Sequence, residues 1–200
     1  MASAQPNKSW SSRTRFQTFA LKKMISVRRI TGEDISIFRD VRLRALKDSP
    51  DAFGATYESA MKRTEDSWRE QVLQSANGSL RNTVFAFDGR HCIGIASLYR
   101  EKDAKEGEIL QMWVAPEFRG TGTASKLVSE LLQWADAAGI QAVGLTVTTA
   151  NNRARKFYEK CGFRTTGEEI DVDASRHLRG YRMKRISLSY TGPNSAKWRD

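Results

Sequence analysis

Alternation of apolar and polar residues predicts seven β-strands along this chain. In residues 142–148, three large apolar residues alternate with Gly and Thr, which is typical of a half-buried strand. Asp88-Gly89 separates two such segments and is typical of a hairpin turn. The predicted strands cover residues 25–30, 83–87, 92–99, 107–115, 142–148, 163–172 and 177–189.

Apolar residues at spacings of three and four predict helices between these strands. The clearest helix covers residues 122–138, and Gly139 is expected to end it. Thr31, three residues before Asp34, resembles a capping box and predicts the start of a helix over 33–47. Two further short helices are predicted, one opening at Thr64-Glu65-Asp66 and one over 152–160.

The order of these elements defines the fold class. Residues 107–148 form a strand–helix–strand crossover, whose two strands are expected to be parallel. The other neighbouring strands are close enough in sequence to form antiparallel pairs. The sequence therefore predicts an α/β (α+β) protein with a single mixed, mostly antiparallel sheet and helices on both faces.

The length of 200 residues predicts one domain, which we place at residues 25–189. The net charge of +10 comes from the two ends of the chain. Residues 1–24 contain five basic and no acidic residues, residues 173–200 contain seven basic and two acidic residues, and the middle contains 21 of each. We expect 1–24 to be a disordered or dispensable basic extension, with transit-peptide composition as the alternative. Residues 190–200 are expected to be a tail.

Composition also argues against several classes of protein. The longest uncharged run has 16 residues, and a membrane-spanning helix needs about 20 mostly apolar ones. Two cysteines are too few for a disulfide framework, which predicts a cytoplasmic protein. The two histidines lack metal-ligand spacing, so no metal site is expected. A neutral middle segment argues against a dedicated nucleic-acid-binding protein.

A glycine-containing loop lies between the strand at 107–115 and the helix at 122–138. The sequence Arg119-Gly120-Thr121-Gly122-Thr123-Ala124 follows Pro116, which ends the strand. Free N–H groups at the start of the helix can bind phosphate, and Arg119 would add positive charge. A simple connecting turn is the alternative. A Walker loop is excluded because no Gly-Lys-Ser/Thr follows.

A second motif follows the next predicted strand. Together with the loop, it resembles the GNAT superfamily of acyl-coenzyme A N-acetyltransferases. The family's loop motif, [QR]-x-x-G-x-[GA], is matched by Arg119, Gly122 and Ala124. Its later motif, N-x-x-A-x-x-[FL]-Y-x-K-x-G-F, is matched by Asn151, Ala154, Phe157, Tyr158, Lys160, Gly162 and Phe163.

The resemblance implies a binding site for acetyl-CoA. The parallel strands 107–115 and 142–148 would splay apart, and the pantetheine arm would lie between them. It would pair with the main chain of Met112, Trp113 and Val114, and Asn151 would contact it. The pyrophosphate would lie beside Arg119 on the backbone amides of Gly120, Thr121, Gly122, Thr123, Ala124 and Ser125.

The same resemblance implies catalytic roles for two residues. Tyr158 is the expected general acid, because a neutral phenol can protonate a leaving thiolate. Glu108 is the candidate general base, which would deprotonate the amine before it attacks the thioester. A backbone N–H near Met112 would stabilise the carbonyl oxygen. Ribosomal-protein acetyltransferases carry a glutamate where this sequence has Thr146, which argues against that mechanism here.

These features predict direct acetyl transfer from acetyl-CoA to a primary amine of a small molecule or protein. Acidic residues at Asp51, Glu58, Glu65 and Asp66 would favour a cationic acceptor if they lie near the site. A non-catalytic module that binds or senses acyl-CoA is the alternative. A homodimer could form through an exposed C-terminal strand at 177–189.

Overall fold

The computed structural model describes residues 25–187. The expectations for 1–24 and 190–200 concern residues outside this range. The strands are Ile25–Arg29 (β1), Arg81–Asp88 (β2), His91–Tyr99 (β3), Glu106–Val114 (β4), Ala142–Thr148 (β5), Arg164–Asp173 (β6) and Leu178–Ile186 (β7). The α-helices in this range are Ile35–Asp48 (α1), Tyr57–Met61 (α2), Glu65–Asn77 (α3), Thr123–Ala137 (α4) and Asn152–Lys160 (α5).

All seven strands form one sheet in the order β1-β2-β3-β4-β5-β7-β6. Only β4 and β5 are parallel, and the other neighbours are antiparallel, as the sequence predicted. The parallel pairing covers three residue pairs, from Glu106 with Ala142 to Glu108 with Gly144. Beyond Glu108, the described parts of β4 and β5 no longer pair. The predicted splayed parallel pair is therefore present.

Helices cover both faces of the central sheet. Six consecutive residues of β2 and seven of β3 are buried, although neighbouring side chains in a strand point to opposite faces. The helix α4 packs against β1 to β4, whereas α1 and α3 pack against each other and against β3 and β2, respectively. Trp68, Phe38 and Phe85 are among the largest fully buried side chains. This packing places the core around β2, β3 and β4.

The structure corrects two local expectations and adds one helix. The N-cap of α1 is Asp34 and not Thr31; the Asp34 carboxylate accepts hydrogen bonds from the Thr31 amide at 2.7 Å and hydroxyl at 2.9 Å, as in one half of a capping box. The short helix α2 was not predicted. Strand β7 lies between β5 and β6, so the segment 177–189 is not a free edge of the described sheet. The edges are β1 and β6, which removes the basis for a dimer through β7.

Candidate active site

Two clefts adjoin where β4 and β5 separate. The first, which we call the loop cleft, has a volume of about 870 Å³ and lies between the end of β4, residues 118–125 and α5. The second, the sheet cleft, has a volume of about 440 Å³ and lies among β4, β5, β6 and residues 52–55. Both clefts are lined by Ala52, Phe53, Met112, Asn151, Ala154 and Tyr158. Molecules bound in the two clefts would therefore meet at these residues.

The loop before α4 leaves room for a ligand at the helix start. Gly120 and Gly122 both have φ +85°, and a Cβ added to either would meet nothing within 4 Å. The N-cap Gly122 has no side chain to cap the first turn, so the amides of residues 123–125 lack an intrahelical acceptor. Amides without an intrahelical acceptor and the helix dipole at this end favour a phosphate.

The predicted loop residues divide into two groups. Arg119, Gly120, Gly122, Ala124 and Ser125 line the loop cleft. Thr121 and Thr123 do not line either cleft, and their hydroxyls lie 2.8 Å apart. Thr123 is fully buried, and Thr121 also donates to the carbonyl of Phe118 at 2.7 Å. The two threonine side chains thus hold the loop in shape instead of lining the cleft.

Arg119 lines the loop cleft as one half of an ion pair. Its guanidinium pairs with Asp48 at the end of α1, and its Nε donates to the carbonyl of Val114 at 3.0 Å. Burial raises the pKa of Asp48, but hydrogen bonds from Ser49, Trp113 and Arg119 outweigh it and leave this pKa below its usual value. Asp48 is therefore ionised and offsets the charge that Arg119 was expected to supply.

Basic residues that the sequence analysis did not assign to the site line the same cleft. Arg153, Lys156 and Lys160 extend from α5 and lie at spacings of three and four, which place them on one side of the helix. This spacing was visible in the sequence, within the second motif. Together with the start of α4, these side chains make the loop cleft suitable for an anionic ligand.

The end of β4 contains a bulge. The register between β3 and β4 shifts between Ile95 and Ser97, and Gln111 has φ +57°. The Gln111 side-chain oxygen accepts hydrogen bonds from Ser97 at 3.1 Å and Gln71 at 3.4 Å. Since a bulge leaves one residue out of the ladder, it changes the direction of the chain beyond Gln111. That chain consists of Met112, Trp113 and Val114, all of which line the loop cleft.

Tyr158 lies at the junction of the two clefts. Only 6% of the residue is exposed, and its ring packs on Phe157 and Phe163 with centroid distances of 5.1 and 5.6 Å. Burial raises the pKa of Tyr158 well above its usual value, and the neighbouring Cys161 adds to the increase. The phenol is therefore protonated at neutral pH and can donate a proton.

Glu108 and Asn151 line the sheet cleft together with Tyr158. Glu108 lines the sheet cleft, and its carboxylate accepts a hydrogen bond from Arg182 at 3.1 Å. Asn151 lines both clefts and caps α5, because its side-chain oxygen accepts from the Ala154 amide at 3.0 Å. Thr146 also lines the sheet cleft. Both residues predicted to be catalytic thus line the sheet cleft, and the predicted binding residues other than Thr121 and Thr123 line one or both clefts.

The acidic residues expected near an acceptor lie elsewhere. Asp51, Glu58, Glu65 and Asp66 are exposed and line neither cleft. The sheet cleft is lined instead by Arg42, a buried cation that the sequence analysis did not single out. The expectation of a cationic acceptor therefore has no support from these four residues.

The described residues show neither a metal-binding cluster nor a membrane-spanning helix. Among residues 25–187, no group of three or more His, Cys, Asp or Glu side chains could hold a metal ion. None of the helices in this range combines the length and the apolar composition that a bilayer-spanning segment requires.

Known proteins resemble this chain in both sequence and fold. A family model described as the acetyltransferase (GNAT) family matches residues 43–163. An uncharacterized N-acetyltransferase of Mycobacterium tuberculosis (strain ATCC 25618 / H37Rv) is 35% identical over 98 residues, 49% of this chain and 62% of that protein. The mycothiol acetyltransferase of Thermobispora bispora is 28% identical over 141 residues, 70% of this chain and 46% of that protein. The matches thus span less than two thirds of either relative.

Solved structures share the fold. A GNAT-family acetyltransferase from Streptococcus pneumoniae superposes with a TM-score of 0.69 at 21% identity, over 81% of this chain and 98% of that one. Spermidine N-acetyltransferase from Vibrio cholerae, in complex with CoA and spermine, superposes with a TM-score of 0.66 at 20% identity, over 84% and 98%. With the family model covering more than half of its residues, the chain belongs to the acetyltransferase (GNAT) family.

Proposed function

We propose that the protein transfers an acetyl group from acetyl-CoA directly to a primary amine in a ternary complex. The observation that carries this proposal is the junction of the two clefts at Met112 and Tyr158. One cleft has a phosphate-binding helix start and the other has a carboxylate, so the two substrates can bind separately and react where the clefts meet.

Acetyl-CoA fits the loop cleft. Its phosphates would bind the amides at the start of α4 and the cations Arg153, Lys156 and Lys160. Its pantetheine amides would pair with the main chain of residues 112–114, where β4 has no pairing with β5. Asn151 lines both clefts, so its side chain would contact the arm near the junction. The thioester would then reach the junction.

Glu108 would act as the general base. A primary amine of the lysine type has a pKa of about 10.4, so it arrives as an ammonium ion and must lose a proton before it can attack. The Glu108 carboxylate lines the acceptor side of the junction, and the hydrogen bond from Arg182 orients it. The proton passes from the ammonium ion to Glu108, directly or through water, and then to solvent.

Tyr158 would act as the general acid. The amine nitrogen forms a bond to the thioester carbonyl carbon, and the carbon–sulfur bond breaks. The carbonyl oxygen gains negative charge during addition, which a backbone N–H near Met112 would stabilise. The Tyr158 hydroxyl protonates the leaving thiolate, and the second proton lost by nitrogen restores the phenol. The products are the acetylated amine and free CoA.

Two measurements test this function. Acetyl-CoA at about 100 times its Kd should stabilise the protein by about 2.7 kcal/mol, measured by thermal unfolding. A panel of amines should then release free thiol in the presence of acetyl-CoA. Stabilisation without thiol release from any amine would favour the non-catalytic acyl-CoA-binding alternative, and no stabilisation at millimolar acetyl-CoA would overturn both.

Two free cysteines within the described residues, Cys92 and Cys161, support a reducing, cytoplasmic location.

A further inference from the structure

Arg42 is a buried cation that has no counter-ion among the described residues. It belongs to α1, is 6% exposed and lines the sheet cleft. Its Nη1 is buried and has no hydrogen-bond partner within residues 25–187. A buried charge that is neither paired nor hydrogen-bonded destabilises a folded protein. Because Arg42 lines a cleft, a bound ligand can supply the negative charge and the hydrogen-bond acceptor that the described residues do not.

The residues around Arg42 leave its positive charge uncompensated, so the missing partner should be an anion. The guanidinium lies 4.5 Å from the centre of the Phe53 ring. Burial, together with the smaller effect of the positive charge of Arg63, lowers the pKa of Arg42 to about 10. No carboxylate of the described residues opposes these effects. Arg42 still carries its charge at neutral pH, because a pKa near 10 lies well above 7.

The other charged residues that line the sheet cleft are already paired. Glu108 is bound by Arg182 at 3.1 Å, and Asp171 lies 3.8 Å from Arg179. Among the residues that the structure describes there, Arg42 alone has no opposite charge beside it. The sheet cleft therefore has one unpaired positive charge, which suits an acceptor with a negative group.

We propose that the acceptor is a small amine that carries a carboxylate, and that Arg42 binds this carboxylate. The planar guanidinium matches a carboxylate, with which it can form two parallel hydrogen bonds. The amine end would face Glu108 and Tyr158, which line the same cleft. A volume of about 440 Å³ is in the range of small-molecule sites. This inference rests on the proposed acetyltransferase function and assigns its acceptor class.

Matched pairs of amines test the inference. Thiol release would be measured with β-alanine and β-alaninamide, with aspartate and its diamide, with phosphoethanolamine, and with spermidine as a cationic amine. The carboxylates should be better acceptors than their carboxamides by about 10- to 100-fold in kcat/KM, as expected for a hydrogen bond to a charged group. Propionate, which has no amine, should inhibit competitively against the amine.

Substitution of Arg42 should remove this preference. Arg42→Met should raise KM for the carboxylates by about 10- to 100-fold and leave the carboxamides unchanged, because only the former lose a partner. Arg42→Lys keeps the charge without the planar fork and should give an intermediate preference. Arg39→Met is the matched control, since Arg39 lies on the same helix, is exposed and pairs with Glu65 at 3.7 Å. It should leave every KM unchanged.

The outcomes separate the inference from the function on which it rests. Thiol release with equal use of carboxylates and carboxamides by the wild-type protein overturns the role of Arg42 and leaves the acetyltransferase function intact. A preference for phosphoethanolamine over every carboxylate would identify a phosphate and overturn the carboxylate. Absence of thiol release with all of these amines, despite stabilisation by acetyl-CoA, counts against the function itself.

Discussion

The indole Nε1 of Trp113 donates a hydrogen bond to Asp48 Oδ2 at 2.8 Å. This contact joins the end of α1 to the end of β4, and the same carboxylate oxygen pairs with Arg119 at the start of the loop. Asp48 thereby positions two parts of the loop cleft at once, although Asp48 itself does not line that cleft.

We predict that Asp48→Ala raises KM for acetyl-CoA by about tenfold and lowers stability by about 1–3 kcal/mol, because the hydrogen bonds from Ser49, Trp113 and Arg119 to the charged carboxylate are lost. Steady-state kinetics and thermal unfolding measure the two effects. Asp40→Ala is the control on the same helix. Asp40 pairs with Arg44 at the surface at 3.1 Å, so its loss should change stability by less than about 1 kcal/mol. Equal behaviour of both variants would contradict the role of Asp48.

Gly122→Trp should abolish stabilisation by acetyl-CoA. The space beside Gly122 is open, and an indole there would cover the first amides of α4. Gly139→Trp is a matched control at the other end of the same helix, with φ +69° and equally open surroundings. Both variants are strained by a side chain at positive φ. A loss of the acetyl-CoA-induced shift in both would mean that backbone strain, and not the binding site, is responsible.

Tyr158→Phe should lower kcat by about 10²-fold or more while acetyl-CoA still stabilises the protein. Tyr181→Phe, on β7 and outside both clefts, should retain activity. An active Tyr158→Phe enzyme would eliminate the phenol as the acid.

Tyr158 should also affect stability at high pH. Its pKa is raised by folding, so the folded state holds the phenolic proton more tightly than the unfolded state. The contribution is complete below the unfolded pKa of about 10 and is lost as pH rises above it. Relative to the wild type, Tyr158→Phe should therefore gain stability above about pH 10. Denaturant unfolding at pH 8 and pH 11 would measure this difference.

Glu108→Gln should lower kcat/KM at neutral pH and recover activity as the pH approaches the acceptor pKa of about 10, because the amine then loses its proton without a base. Glu106→Gln is the control two residues earlier on β4. Glu106 is bound by Lys184 at 2.6 Å and lines neither the loop cleft nor the sheet cleft. If the pH profile of Glu108→Gln matches that of the wild type, the base is another group or water.

Local patterns in the sequence were sufficient for most of the individual elements. The predicted bounds of β5 and α5 are those observed, because alternation of apolar and polar residues marks β5 and an Asn cap marks the start of α5. The order β5-β7-β6 was not predicted, because it depends on which strand of a hairpin joins the sheet, and periodicity is the same for both. The helix α2 was missed because its five residues are too few to show a helical period.

The main omission at the site was Arg42. In the sequence, Arg42 is one of several arginines in 39–44, and charged residues in a helix usually face solvent. Its burial depends on Phe53, which follows the helix, and on the cleft formed by β4 and β5. Contacts of this kind join distant segments, so local sequence patterns do not reveal them.

The short pairing between β4 and β5 has a consequence for how ligand binding and folding are connected. The two halves of the sheet, β1 to β4 and β5 to β7, are joined by only three residue pairs. A pantetheine arm in the gap would act as a substitute strand and extend the ladder from one half to the other. Amide hydrogen exchange should then slow on both sides of the gap when acetyl-CoA binds, so that the substrate serves as a reversible part of the sheet.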